Sequence, residues 1–178
     1  MKSNPCSPGT LRRYLSAALL LSALPITGQT ITNPGFEANS FSVYPGTVSS
    51  NTAITGWTTT TPDRVGLNPA GANPSLYANN GAIPEGAQVA FLLAGTVGQS
   101  DLSTTVTGLT QGVKYKVSAR VNARYQTPTA NTPNIKFTTD GLAVGVGAEV
   151  TAVATTVTTT PYKTVAFEFT ATGTSQSI

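Results

Sequence analysis

The stretch KYKVSARVNARY, Lys114 to Tyr125, decides the fold. Its odd positions are Tyr115, Val117, Ala119, Val121, Ala123 and Tyr125, and its even positions are Lys114, Lys116, Ser118, Arg120, Asn122 and Arg124. Apolar and polar residues alternate without a break. Successive side chains of an extended chain fall on opposite faces, so one face packs on a core and the other meets solvent or a ligand.

The same period continues on both sides. Upstream, Leu102 to Thr107 alternates, with Leu102, Thr104 and Val106 facing one way; Gly108 and Gln111-Gly112 mark a turn, and the two segments read as an antiparallel hairpin. Gln88 to Leu93 is apolar on both faces and reads as a central strand, bounded by Pro84-Glu85-Gly86 and Gly95. Downstream, Ile135, Phe137 and Thr139 form a short strand that ends at Asp140-Gly141, a hairpin turn, with Leu142 to Val146 pairing back. Val165, Phe167 and Phe169 alternate with Ala166, Glu168 and Thr170. Asn39 to Asn80 is dense in Pro, Gly, Asn, Ser and Thr and reads as loops around one or two strands, with apolar islands at Ala53-Ile54 and Arg64 to Leu67. Short strands at this spacing predict an all-β, two-sheet antiparallel β-sandwich.

The first 28 residues read differently. Lys2, Arg12 and Arg13 are followed by the apolar run LSAALLLSAL, Leu15 to Leu24, and by Pro25-Ile26-Thr27-Gly28. About ten apolar residues are too few for a bilayer span of ~20, and the pattern is that of a secretory signal-peptide helix over 1–28, with a sandwich domain over 29–178. Cys6 precedes the apolar run, whereas a lipidated cysteine would follow it. Three of the ten Lys and Arg residues lie in this leader, and the seven that remain equal the seven Asp and Glu. Without net basic charge the mature domain is not expected to bind nucleic acid or an anionic membrane surface, and no membrane insertion of it is expected. With no His in the chain and Cys6 in the leader, the mature domain has no Cys or His metal ligand, no disulfide, and neither a Ser-His-Asp nor a thiol nucleophile.

Short motifs recur in a known order. Asn33-Pro34-Gly35-Phe36-Glu37 opens the domain; Ile54-Thr55-Gly56-Trp57-Thr58, Ile83-Pro84-Glu85-Gly86, Phe91-Leu92, Gln99 and the Gly112–Arg124 segment follow. This order resembles the galactose-binding-like jelly rolls, especially family 4 and 9 carbohydrate-binding modules and related secreted cell-wall proteins. The resemblance covers most of 31–178. It implies a jelly roll that binds polysaccharide on a concave face or at its loop ends, and a structural calcium ion to which Glu37, as the acidic residue of the opening motif, contributes. It also implies a further strand or two after Ala171-Thr172-Gly173-Thr174-Ser175, so the chain is expected to lack its last strand or strands and to leave a sheet edge unpaired.

Candidate ligand-binding residues follow from the chemistry of sugars. Trp57, the sole tryptophan, offers an apolar ring face, as does Tyr77 within Ser75-Leu76-Tyr77-Ala78-Asn79-Asn80. Arg120, Asn122 and Arg124 share a strand face and offer planar donors to hydroxyls or uronate carboxylates. The carboxylates Glu37, Asp63, Glu85, Asp101, Asp140, Glu149 and Glu168 are scattered, and no pair in the sequence suggests a glycosidase. The sequence therefore reads as a secreted or cell-surface, non-catalytic carbohydrate-binding module. The alternatives are a structural or adhesive surface module and the accessory domain of a longer extracellular enzyme.

Overall fold

The computed structural model describes residues 28–69, 83–94, 98–122, 134–140, 142–143, 148–149 and 162–178. Residues 1–27 of the expected 1–28 leader, Tyr77, Arg124 and Tyr125 lie outside them. The strands are β1 Thr30–Ile31, β2 Trp57–Thr58, β3 Val65–Pro69, β4 Gln88–Leu92, β5 Ser103–Thr107, β6 Lys114–Val121, β7 Asn134–Ile135, β8 Thr138–Thr139, β9 Leu142–Ala143, β10 Ala148–Glu149, β11 Lys163–Thr170 and β12 Ser175–Ser177. The helical content of the described residues is one 3-10 turn, Val48–Ser50. No helix among them is long and apolar enough to cross a membrane.

All strand pairs are antiparallel, and they form several sheets. β5 is the centre of the largest. β1 and β2 pair along its length (Ile31 with Val106, Trp57 with Thr104), and β12 pairs in the register Gln176 with Val106. β6 and β11 form a separate eight-pair ribbon, from Lys163 opposite Val121 to Thr170 opposite Lys114. The alternation read in the sequence holds in both: the odd residues of β6 are half-buried and the even ones exposed, while Val165, Phe167 and Phe169 of β11 are buried. These side chains meet Val106, Leu109 and Ala171 in one core, with Ile31, Phe137 and Ile178 at its margin. A second core gathers Phe41, Ile54, Val65 and Leu67 under Phe36, Trp57 and Leu102. Two antiparallel layers over apolar cores are consistent with a β-sandwich.

The β5–β6 hairpin expected from sequence does not form. β5 pairs with β1, β2 and β12, and β6 pairs with β11. The chain passes from one sheet to the other between β5 and β6, and again between β11 and β12, and the two crossings run side by side. Leu109 N donates to Thr174 O at 3.0 Å, Gly112 N to Ala171 O at 2.8 Å, and Ala171 N to Val113 O at 2.9 Å. The Tyr115 hydroxyl accepts from Thr110 N at 2.8 Å and its ring lies 6.0 Å from Phe169, bracing the corner as a tyrosine does in other sandwiches.

A second expectation also shifts by one strand. β4 is not sealed on both faces: Leu92 is 44 % exposed. The strand enclosed on both sides is β3, in which Val65, Gly66, Leu67 and Asn68 are all buried. Gly66 explains how. The 46–47 loop lies directly on it, with Thr47 bridged to Gly66 and Leu67 N donating to Gly46 O at 3.0 Å. A Cβ at Gly66 would strike the Gly46 carbonyl and the Phe91 ring.

β8 and β9 pair with each other, and Asp140 stands at φ 48°, a left-handed value that Asp tolerates. The single strand expected through Ile135, Phe137 and Thr139 is divided into β7, which pairs with β10, and β8, while 144–146 lie outside the described residues. Residues 175–177 form β12 on one side of β5, and Asp140 meets the other side of β12: its N–H donates to Ser177 O and its Oδ1 accepts from Ser177 N, both at 3.0 Å.

Candidate functional site

The opening motif is built into the fold through hydrogen bonds. Trp57 Nε1 donates to Asn33 O at 3.0 Å, and the indole ring lies 4.8 Å from Phe36. This tryptophan is half-buried and ties β2 to the 33–39 loop. Glu37 Oε1 accepts from Ala87 N at 2.9 Å and Gln88 N at 3.2 Å. Gln88 Nε2 donates to the carbonyls of Phe36 and Asn39 at 2.7 and 2.6 Å. Gly86, at φ 76°, leaves room for the Glu37 carboxylate. Two backbone N–H donors thus hold Glu37 Oε1 and fasten the 33–39 loop to the start of β4. Among the described residues no three Asp, Glu, His or Cys side chains converge there or elsewhere.

Arg120 and Asn122 do come together, at one end of the β6–β11 ribbon. Arg120 Nη2 donates to Tyr162 O at 3.3 Å, and the Asn122 side chain hydrogen-bonds the Tyr162 phenol. Burial pushes that phenol up from its ordinary value, and the Asn122 bond opposes the shift. Asp101 is another staple: Thr60 N donates to its two oxygens at 3.2 and 3.1 Å, and the hydroxyls of Thr60 and Thr61 also bond it. Burial alone would raise this carboxyl, but the hydrogen bonds outweigh it and hold it below its ordinary value.

The opposite end of the ribbon, about 20 Å away by strand rise, carries a cleft of about 400 Å³. It is lined by Lys114 of β6, Glu168 and Thr170 of β11, and Thr139 and Asp140 at the end of β8. Phe169, Thr172 and Gln176 complete it. The crossings put it there, because β11 leaves its sheet at 171 and returns as β12 beneath the turn. Lys114 Nζ lies 3.6 Å from Glu168 Oε2, both side chains well exposed. One ammonium and two carboxylates leave the cleft with one formal negative charge.

Of the expected site residues that are described, Trp57, Arg120, Asn122 and Glu37 do not line this cleft. Sequence reading singled out neither Asp140, Glu168, Lys114, Thr139 nor Gln176, which lie far apart in the chain and share no motif. The one local signal was Asp140-Gly141, which marks a turn whose tip has to rest on something.

A family model described as HpiC1-like, HpiC1 cyclase, matches residues 27–178. No curated protein and no solved structure matches the chain. The match corrects two expectations. The non-catalytic carbohydrate-binding module, with its adhesive and accessory-domain alternatives, gives way to a cyclase family, and "not an enzyme" gives way to an enzyme family. The physical reason for the miss is that scattered carboxylates were judged by sequence spacing, whereas the crossings bring two of them to one cleft.

Proposed function

Because the chain belongs to the HpiC1-like family, we propose that it is a cyclase: it closes a ring within one small organic substrate held in the cleft. The observation that carries this reading is the family match over 27–178. The chemistry of the cleft supports it by elimination. With no His and with Cys6 in the leader, proton transfer falls to Asp, Glu, Lys and Tyr. Of the carboxylates whose side chains are described, Glu37, Asp63, Glu85 and Asp101 lie outside the cleft. Asp140, whose Oδ1 also accepts from Ser177 N, and Glu168 line it.

Ring closure joins two atoms of one molecule, so the largest contribution a site makes is to hold the ends together. Asp140 and Glu168 then give and take protons at the reacting ends, with Lys114 beside Glu168 setting the local field. The test is incubation of the purified protein with a panel of polyunsaturated small molecules, followed by chromatography and mass spectrometry. An isomer of unchanged mass is expected, falling by ~10²–10⁴-fold in Asp140→Asn or Glu168→Gln. Isomer formation that neither substitution touches refutes the assignment of the cleft. No isomer from any substrate counts against the cyclase reading.

Two further points belong to the same proposal. The jelly-roll topology is supported by the paired sheet crossings at 108–113 and 171–174. Export is supported by the leader pattern and by a matched region that begins at residue 27, next to the proposed cleavage point. Amino-terminal sequencing of protein recovered outside the producing cell should begin near Gln29; an intact Met1 terminus would refute export with cleavage.

A further inference from the structure

The cleft contains two polar side chains that the fold buries without using up. Gln176 is 4 % exposed and Thr139 5 %, and both line the cleft. Thr172 N donates to Gln176 Oε1 at 3.0 Å. A backbone N–H needs an acceptor, so this bond fixes which end of the amide is oxygen and leaves Nε2, with two protons, at the other end. Among the described residues no hydrogen bond engages Gln176 Nε2 or Thr139 Oγ1, and neither atom is sealed from solvent. Buried polar groups are normally paired, and an open amide donor beside an open hydroxyl at the wall of a cleft has the form of a site awaiting its partner.

We propose that Gln176 and Thr139 form a recognition subsite for a neutral hydrogen-bond acceptor, a carbonyl or ether oxygen, on the molecule bound in the cleft. Gln176 Nε2 supplies an N–H, and the Thr139 hydroxyl supplies a second donor. The acceptor is neutral because of what surrounds it. Asp140 and Glu168 repel an anion, and the one cation, Lys114, is 3.6 Å from Glu168 and already paired. The role of this subsite in turnover, orienting a substrate by its oxygen, rests on the cyclase reading; the binding does not.

The test uses N,N-dimethylbenzamide, which carries a carbonyl acceptor, an aromatic ring and no N–H. Titrated into the ¹⁵N-labelled full chain, it should shift the Gln176 side-chain N–H₂ signals and the Thr139 and Thr172 amides saturably. Gln176→Glu keeps an acceptor for Thr172 N but replaces the donor with an oxygen, and should weaken binding at least tenfold; Thr139→Val, which adds no charge, should weaken it several-fold. Benzoate should leave the same signals unmoved. Gln176 signals that stay still at saturating amide, equal affinity in the wild type and a folded variant, or a stronger response to benzoate would each overturn the proposal. Probe binding without turnover of any substrate leaves the subsite standing and counts only against the cyclase reading; turnover with unmoved Gln176 signals does the reverse.

Discussion

Replacing Tyr115 with phenylalanine removes one oxygen and leaves the ring. That oxygen accepts from Thr110 N at 2.8 Å, at the point where the chain leaves the β5 sheet for the β6–β11 ribbon. A net intramolecular hydrogen bond contributes about 0.5–1.5 kcal/mol. This one is solvent-accessible, so water takes over part of its role and about 1 kcal/mol is expected. For a domain of this size that lowers Tm by about 2–4 °C. Tyr115→Ala also removes a half-buried ring packed on Phe169, adding about 2–3 kcal/mol, below the 3–5 of a fully buried aromatic. Urea denaturation followed by circular dichroism gives both values, and hydrogen exchange at the Thr110 amide reports the bond itself. The phenylalanine variant should show a lower midpoint, an unchanged m-value and faster Thr110 exchange. An unchanged midpoint with unchanged Thr110 exchange would refute the brace. A cost equal to that of Tyr115→Ala would show that the hydroxyl, and not the ring, holds the corner.

Other substitutions probe the cores and the acid limb. Phe167→Ala should cost about 3–5 kcal/mol, and a double-mutant cycle with Phe137, whose ring is stacked at 4.6 Å, should return a coupling of about 0.5–1.5 kcal/mol; additive costs would deny the stack. Gly66→Ala should cost about 3 kcal/mol or more in urea midpoint terms, because the obstacle is a backbone carbonyl that cannot swing aside. A variant of near wild-type stability would mean that the 46–47 loop can lift. Asp101 is held below its ordinary value of 3.8. Its contribution is therefore complete above that value and fades as pH falls through the lower folded-state value. Asp101→Asn should flatten that part of the acid unfolding curve, and parallel curves for the two proteins would contradict the staple.

The elements were legible where side-chain period alone decides them. Alternation at 114–121 and 163–170 gave the strands and their inward faces, and Asp140-Gly141 gave a turn. Partnership was not legible. Alternation states which face is buried but not which strand lies alongside, so β5 and β6, adjacent in sequence, were joined as a hairpin when each has a distant partner. The enclosure of β3 was hidden for a similar reason: Arg64-Val65-Gly66-Leu67 reads as a minor island, and its burial on both sides comes from a loop that a glycine admits. The candidate site follows the same rule. Asp140, Glu168 and Gln176 carry no shared motif, and they meet only because two crossings lie side by side. Trp57 and Glu37 were conspicuous in sequence, and the structure places them as fastenings of the 33–39 loop.

The flanking of β5 by both β1 and β12 has a consequence for how the polypeptide acquires its shape. Val106 is held on one side by Ile31, near the start of the domain, and on the other by Gln176. During vectorial synthesis the first neighbour is available early and the second emerges late. The largest sheet must therefore wait, half-built, until the last described strand arrives. Joining such remote segments requires closure of long loops before the contacts reward it, which makes folding slow relative to a helical chain of equal length. Until then β5 presents an open edge, and a nascent chain in that state is a substrate for chaperones or, where the chain is exported, a form that a secretion channel can still thread.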